Sequence, residues 1–263
     1  MSVNSYLRNI ARNLYISRSG DEYDSIERSV AVIKRRLNSH FSDRMQNGIQ
    51  FGSSTRGTML PRATDSHSDV DYMVIFKNEN GYKPQTLMMW LRRFAEKYYS
   101  QSEIRRSHPT VVLELNHIMF DLVPAYRNMF WQLQIPAPPS NFEEWTRTSP
   151  KSFNDELVEV NKENDYKIKP TIRLVKYWNA QNDHVYESYK LEKNVCRAFY
   201  IFKNSKWDYF KKAMESLSAS ELPKYKRRRV ESAQRRIKEI TSELDSGNSF
   251  KAKSKLQRLL PKL

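Results

Sequence analysis

The sequence contains a single cysteine, Cys196, among 263 residues. That excludes an intrachain disulfide and any multi-cysteine zinc site. The five histidines are scattered and give no metal-ligand spacing. Six glycines and eleven prolines are too few for low-complexity linkers. No apolar run approaches the roughly 20 residues that a spanning helix needs. The opening stretch MSVNSYLRNIARNLY lacks the continuous apolar core of a secretory signal. Acidic residues are also scarce, 30 against 45 lysines and arginines, for a net charge of +15. These absences predict a soluble, reduced, cytoplasmic protein with no membrane partner. The surplus of positive charge predicts polyanionic company, nucleotides or nucleic acid.

What is present is a folded chain. Hydrophobic residues make up 39% of it, enough for one sizeable domain or two small ones sharing a core. Tyr6, Leu7, Ile10, Ala11 and Leu14 fall on one helical face, and Ile26, Val30, Ile33 and Leu37 on another. Asp24 with Glu27 three residues on resembles a capping-box start for the second helix. A short strand ending at Phe51 leads into Gly52-Ser53, a helical turn from Ser54, the loop LPRATDSHS and a buried strand DVDYMVIF. Leu87, Leu91, Phe94 and Tyr98 mark a further helix. PTVVLELN and IMFDLVPAY, joined at Asn116-His117, read as an antiparallel hairpin. From about Asn141 the pattern turns helical. The expected fold class is α/β (α+β), a small mixed sheet followed by an all-helical domain. The expected boundaries are 1–140 for the core with its N-terminal helices and 141–263 for the helical domain with basic C-terminal helices.

The chemistry-bearing residues sit around the first buried strand. Asp69 and Asp71 are two apart, so on an extended strand both side chains leave the same face. Asp121 lies on the second apolar strand. If the two strands are neighbours, three carboxylates converge and repel one another unless cations are present. Such a set suits two Mg²⁺ ions, or Mn²⁺, which prefer oxygen ligands shared with substrate phosphates. Gly52 permits close backbone approach to a phosphate, and Ser53 offers a hydroxyl and an N–H at a helix start. Asp65 and His67 read as loop residues. Lys169, Arg173 and Lys176 are spaced as one basic helical face beside the apolar Ile172, Val175 and Trp178.

GSSTRGT followed by SDVDYMVIF and the third acid in FDLVPA resembles the nucleotidyltransferase superfamily related to DNA polymerase β. KPTIRLVKYWN and YESYKLE narrow the resemblance to the cyclic GMP-AMP synthase-like (CD-NTase) enzymes of bacterial CBASS anti-phage systems. It runs from about Glu22 to Tyr200. It implies a polymerase-β-like core followed by a helical domain, with the active site in the cleft between them. It further implies that Gly52 and Ser53 hold the donor triphosphate, that Asp69, Asp71 and Asp121 are the catalytic metal ligands, and that Lys176 and Ser188 contact the β- and γ-phosphates. Tyr189 would stack on the donor base, with Lys169 and Arg173 near the phosphates. The implied activity is Mg²⁺-dependent, template-independent transfer from NTPs, closing to a cyclic oligonucleotide second messenger that a separate effector protein binds.

Two rival readings use the same residues. RNA-tailing and CCA-adding-type nucleotidyltransferases also carry Gly-Ser, Arg-Gly-Thr and Asp-x-Asp, and the basic charge suits RNA as acceptor. An RNA-binding module on an inactive fold is disfavoured by the three acids. Past Ser205 no motif aligns. KYKRRRVESAQRRIKEITSEL places Val230, Ala233, Ile237, Ile240 and Leu244 at helical spacing, Gly247-Asn248 breaks it, and SFKAKSKLQRLLPKL forms a second amphipathic piece. Its arginine run, Arg227 to Arg229, is a candidate surface for an activating RNA or DNA.

Overall fold

The computed structural model describes residues 2–107, 109–137 and 144–263. Along the chain run α1 (Val3–Asn13), α2 (Asp21–Phe41), β1 (Met45–Phe51), α3 (Gly52–Arg56), β2 (Asp69–Phe76), α4 (Pro84–Tyr98), β3 (Glu103–Ser107), β4 (Thr110–Glu114), β5 (Met119–Arg127), β6 (Leu133–Pro136), β7 (Trp145–Arg147), α5 (Pro150–Glu163), α6 (Ile168–Ala180), α7 (Ser188–Cys196), α8 (Lys206–Glu215), α9 (Lys224–Asp245) and α10 (Ser249–Leu259). They form two compact units. A sheet unit comprises Ser17–Arg56 and His67–Ser152, and a helical unit comprises Met1–Ile16, Gly57–Ser66 and Phe153–Leu263.

In the sheet unit the strand order is β1-β2-β5-β4-β3, with β6 pairing β5 and β7 pairing β6. β2 and β5 are parallel, and the other pairs are antiparallel. The β4–β5 hairpin forms where the sequence placed it, closed by Leu115 N–H donating to Ile118 O at 2.9 Å. Alternation sorts the two faces of the central strands. Val70, Tyr72, Val74 and Phe76 of β2 and Phe120 and Leu122 of β5 share one buried face. Aromatic contacts fasten that side to the helices: Phe76 meets Phe41 of α2 at 4.9 Å and Trp90 of α4 at 5.7 Å. On the opposite face, Met73, Ile75 and Ala125 pack with Ile49, Phe51, Leu133 and Ile135. Asp69 and Asp71 continue that second face beyond its apolar patch.

The helical unit is built around α6, ten of whose thirteen residues are buried. Its neighbours include α1, α7 and α8. α8 begins with a complete capping box, Ser205 with Asp208. α9 and α10 pack against each other after Gly247, which adopts φ +76° at the break. Tyr6 Oη donates to Leu260 O at 2.7 Å and Tyr177 Oη to Pro261 O at 3.3 Å, fixing the end of α10 to α1 and α6.

Three boundaries differ from the sequence reading. α2 starts at Asp21 after Gly20 without a side-chain cap, and Asp24 lies in its first turn, where a carboxylate favours the helix dipole. Trp145–Arg147 is a strand on β6, so the sheet extends past residue 141 and helix resumes at Pro150. The expected boundary between 140 and 141 itself lies outside the described residues. α1 was grouped with the core, yet its buried face of Val3, Tyr6, Leu7, Ile10 and Ala11 joins the helical unit. An amphipathic stripe shows which face is covered but not by what.

Candidate active site

The register of β2 and β5 brings the acids together. Asp71 is paired directly with Asp121, and Asp69, paired with Met119, precedes Asp71 by two residues. All three carboxylates therefore leave one face of two adjacent parallel strands. Each residue is half-buried. Burial raises the pKa of Asp121, opposed by a hydrogen bond that Thr110 Oγ1 donates to its Oδ2 at 3.4 Å and by the Arg105 charge. A carboxylate held half out of water beside two others favours an added cation.

Gly52 follows Phe51, the β1 residue paired with Asp71. Its φ of +76° lies where only glycine is unstrained. A Cβ there would also collide with the Asp71 carboxylate, lying 2.6 Å from its Cγ. The sequence suggested that the missing side chain makes room for a phosphate; in the structure, Asp71 fills that room. Gly52 thus positions a metal-ligand candidate. The turn is tied by Thr55 Oγ1 donating to Gly52 O at 3.0 Å and Ser54 Oγ to Phe51 O at 3.2 Å. Ser53 is buried at the start of α3. The donor set of Asp69, Asp71 and Asp121 is all oxygen and anionic, so it fits Mg²⁺ or Mn²⁺.

The remaining candidates lie in the helical unit. Lys176 is buried and ion-paired with the fully buried Glu192 of α7, Nζ to Oε1 at 3.1 Å. Arg173 is also buried: it donates to Gly57 O at 2.7 Å and lies over the Tyr15 ring at 4.9 Å. Burial lowers its pKa to about 10. The basic face inferred on α6 is therefore an interior one, because other elements cover the helix on nearly every side. Lys169 is half-buried, with its backbone N–H donating to Asn161 Oδ1 at 3.0 Å. Ser188 is exposed at the first position of α7. Tyr189, half exposed, meets Phe153 edge-on at 5.4 Å and has the Lys193 ammonium 5.3 Å from its ring centre.

Sequence reasoning missed two features of this unit. Asp65, read as a loop acid, is buried with His184 Nε2 3.4 Å from its Oδ1; His67 remains exposed, as a loop residue should. Asn179 grips the backbone of Tyr186, donating Nδ2–H to its carbonyl at 2.9 Å and accepting its N–H at 3.0 Å. That clamp fixes the loop leading to Ser188. The signal was an amide near the end of a mixed apolar and basic helix, which reads equally as a helix-end polar residue.

The chain is similar to several known proteins. A Bacillus cereus protein named "Probable cyclic nucleotide synthase" is 30% identical over 106 residues, covering 38% of this chain and 32% of that protein. The cyclic AMP-AMP-AMP synthase of an Acinetobacter strain is 26% identical over 135 residues, covering 50% of this chain and 38% of its own length. The matches thus span about a third of the length of these curated relatives. The structure of Escherichia coli CdnC with ATP superposes with a TM-score of 0.73 over 100% of this chain and 98% of that one, at 11% identity. This confirms the expected fold class, an α/β core of polymerase-β type with helices. The family model of the Second Messenger Oligonucleotide or Dinucleotide Synthetase domain matches residues 1–161, more than half of the chain. The chain belongs to that family.

Proposed function

We propose that this protein is a nucleotidyltransferase that joins NTPs, without a template, into a cyclic oligonucleotide second messenger for anti-phage defence. The observation that carries the reading is the register pairing of Asp71 with Asp121, with Asp69 on the same face and Gly52-Ser53 against it. In each round a ribose hydroxyl oxygen forms a bond to the α-phosphorus of an NTP. The bond to the β-phosphate bridging oxygen breaks, pyrophosphate leaves, and the hydroxyl proton is released. A final transfer within the linear product closes the ring. Asp69, Asp71 and Asp121 would hold two Mg²⁺ ions, which when bound neutralise phosphate charge and lower the pKa of the attacking hydroxyl. Ser53 and the first N–H groups of α3 orient the triphosphate, and Gly52 keeps Asp71 in place.

Lys176, Ser188 and Tyr189 are proposed as nucleotide contacts on the strength of the family motif. A separate effector is proposed to bind the product, and the cytoplasm is the proposed site of action. Among the described residues no helix is long and apolar enough to cross a membrane. The +15 charge supports activation by RNA or DNA on the basic face of α9, testable by charge reversal at Arg227. Relatives that carry cyclic nucleotide synthase names favour ring closure over the RNA-tailing alternative. Pyrophosphate release from mixed NTPs and Mg²⁺ tests the site. Asp71→Asn should abolish it while the circular-dichroism spectrum is unchanged; undiminished release would sink the assignment.

A further inference from the structure

An open, positively charged cavity lies within the helical unit, formed by α6, α9 and α10. It encloses about 250 Å³ and is lined by Trp178, Asn182, Arg228, Arg229, Ser232, Ala233, Arg236, Arg258 and Leu259. Four of these nine residues are arginines and none is acidic. The spacing explains the convergence: Arg228, Ser232 and Arg236 follow one another at i, i+4 and i+8 on α9. Antiparallel packing then brings Arg258 of α10 alongside. Trp178, Ala233 and Leu259 are nearly inaccessible and make an apolar floor.

The guanidinium charge is only partly answered by the protein. Arg229 pairs with Asp183, but that carboxylate is 76% exposed and strongly hydrated. Arg236 Nη1 donates to the Arg258 carbonyl at 3.1 Å, which orients the guanidinium without neutralising it. Four like charges over an apolar floor repel one another, and an anion carrying several oxygens would offset that repulsion. Arginine's planar fork matches phosphate oxygens in pairs. The volume falls just below the roughly 300–1,000 Å³ of drug-sized ligand pockets, which suits a compact anion rather than a duplex laid across a surface.

From this geometry we infer that the Arg228/Arg229/Arg236/Arg258 cavity binds an oligophosphate group of a small molecule. The Ser232 hydroxyl supplies a further hydrogen bond to its oxygens, and the Asn182 amide, which donates one N–H to Trp178 O at 2.7 Å, supplies its second N–H. The site shares no residue with the three acids and does not rest on the nucleotidyl-transfer reading.

The test is calorimetric titration of the full chain with inorganic tripolyphosphate in EDTA, where carboxylate-held metal contributes nothing. Arg228→Gln with Arg236→Gln removes two of the four cations and should weaken binding about 100-fold, each charge-assisted contact being worth about tenfold. Because Arg236 also bonds to the backbone, Ser232→Glu serves as the second variant. It places a carboxylate among the arginines and should abolish binding while the circular-dichroism spectrum is unchanged. Ser232→Ala should cost less than about tenfold. Absence of binding to the unaltered chain, or equal affinity in Ser232→Glu, would overturn the inference. So would a cavity-dependent affinity for duplex RNA with none for tripolyphosphate.

Discussion

Replacing Gly52 with alanine separates the two jobs the structure gives that residue. At φ +76° an alanine pays for left-handed backbone, about 1–2 kcal/mol. Its Cβ would also displace the Asp71 carboxylate, whose Cγ would lie 2.6 Å away. Gly57 supplies the control, with φ +70° and nothing within 4 Å of an added Cβ. Gly57→Ala should therefore pay the backbone cost alone, a fall in Tm of about 2–8 °C, and keep its activity. Gly52→Ala should lose at least as much stability and at least about 100-fold in pyrophosphate release, because a ligand shifted by even an ångström misplaces the reacting groups. Both variants would be measured by thermal unfolding and by release at saturating NTP. Equal activity in the two would refute the argument that Gly52 exists to seat Asp71.

Further outcomes follow from the same geometry. Lys176→Met or Glu192→Gln each breaks a buried ion pair and should destabilise by up to about 3–5 kcal/mol in urea unfolding, whereas Lys176→Met with Glu192→Met should recover part of it. If that double variant then shows a raised KM for NTP, Lys176 touches phosphate as well as Glu192; an unchanged KM confines it to structure. The Arg197 guanidinium holds the Glu156 carboxyl below its ordinary value near 4.5. Its stabilising effect is present above that value and disappears as pH falls through the lowered folded-state pKa. Glu156→Gln should therefore match the unaltered protein at the acid end of a pH series of urea midpoints and fall below it near neutrality. Tyr189→Ala should leave Tm within a few degrees, since the ring is half exposed, yet change KM among the four NTPs; identical KM values would remove the base-stacking role. EDTA should stop pyrophosphate release, with Mg²⁺ restoring it.

The carboxylate site was legible in the sequence because strand geometry has a period of two. Asp69 and Asp71 had to share a face, and the apolar runs around them and around Asp121 marked two strands. That those strands are parallel neighbours with Asp71 opposite Asp121 depends on chain topology, which local patterning does not carry. The sequence pointed to Gly52 for phosphate approach and not for its closeness to Asp71, since nothing in it reveals that β1 ends opposite Asp71. The burial of Lys176 and Arg173 was not legible. Charges on one side of an amphipathic helix usually face water, and only the packing of other elements around α6 turns that side inward. The start of α2 moved because acids at Asp21 and Glu22 favour the N-terminus as well as a capping box at Asp24 would.

The proposed reaction is the joining of nucleotides into a ring at three acids on one sheet face. Incubation of the protein with four labelled NTPs and Mg²⁺, phosphatase treatment and mass spectrometry test it, with Asp69→Asn/Asp71→Asn as the blank. A small phosphatase-resistant product, absent from the blank, is expected, and its mass identifies its bases. Products wholly sensitive to phosphatase, or label appearing on the 3′ end of added RNA, would contradict it.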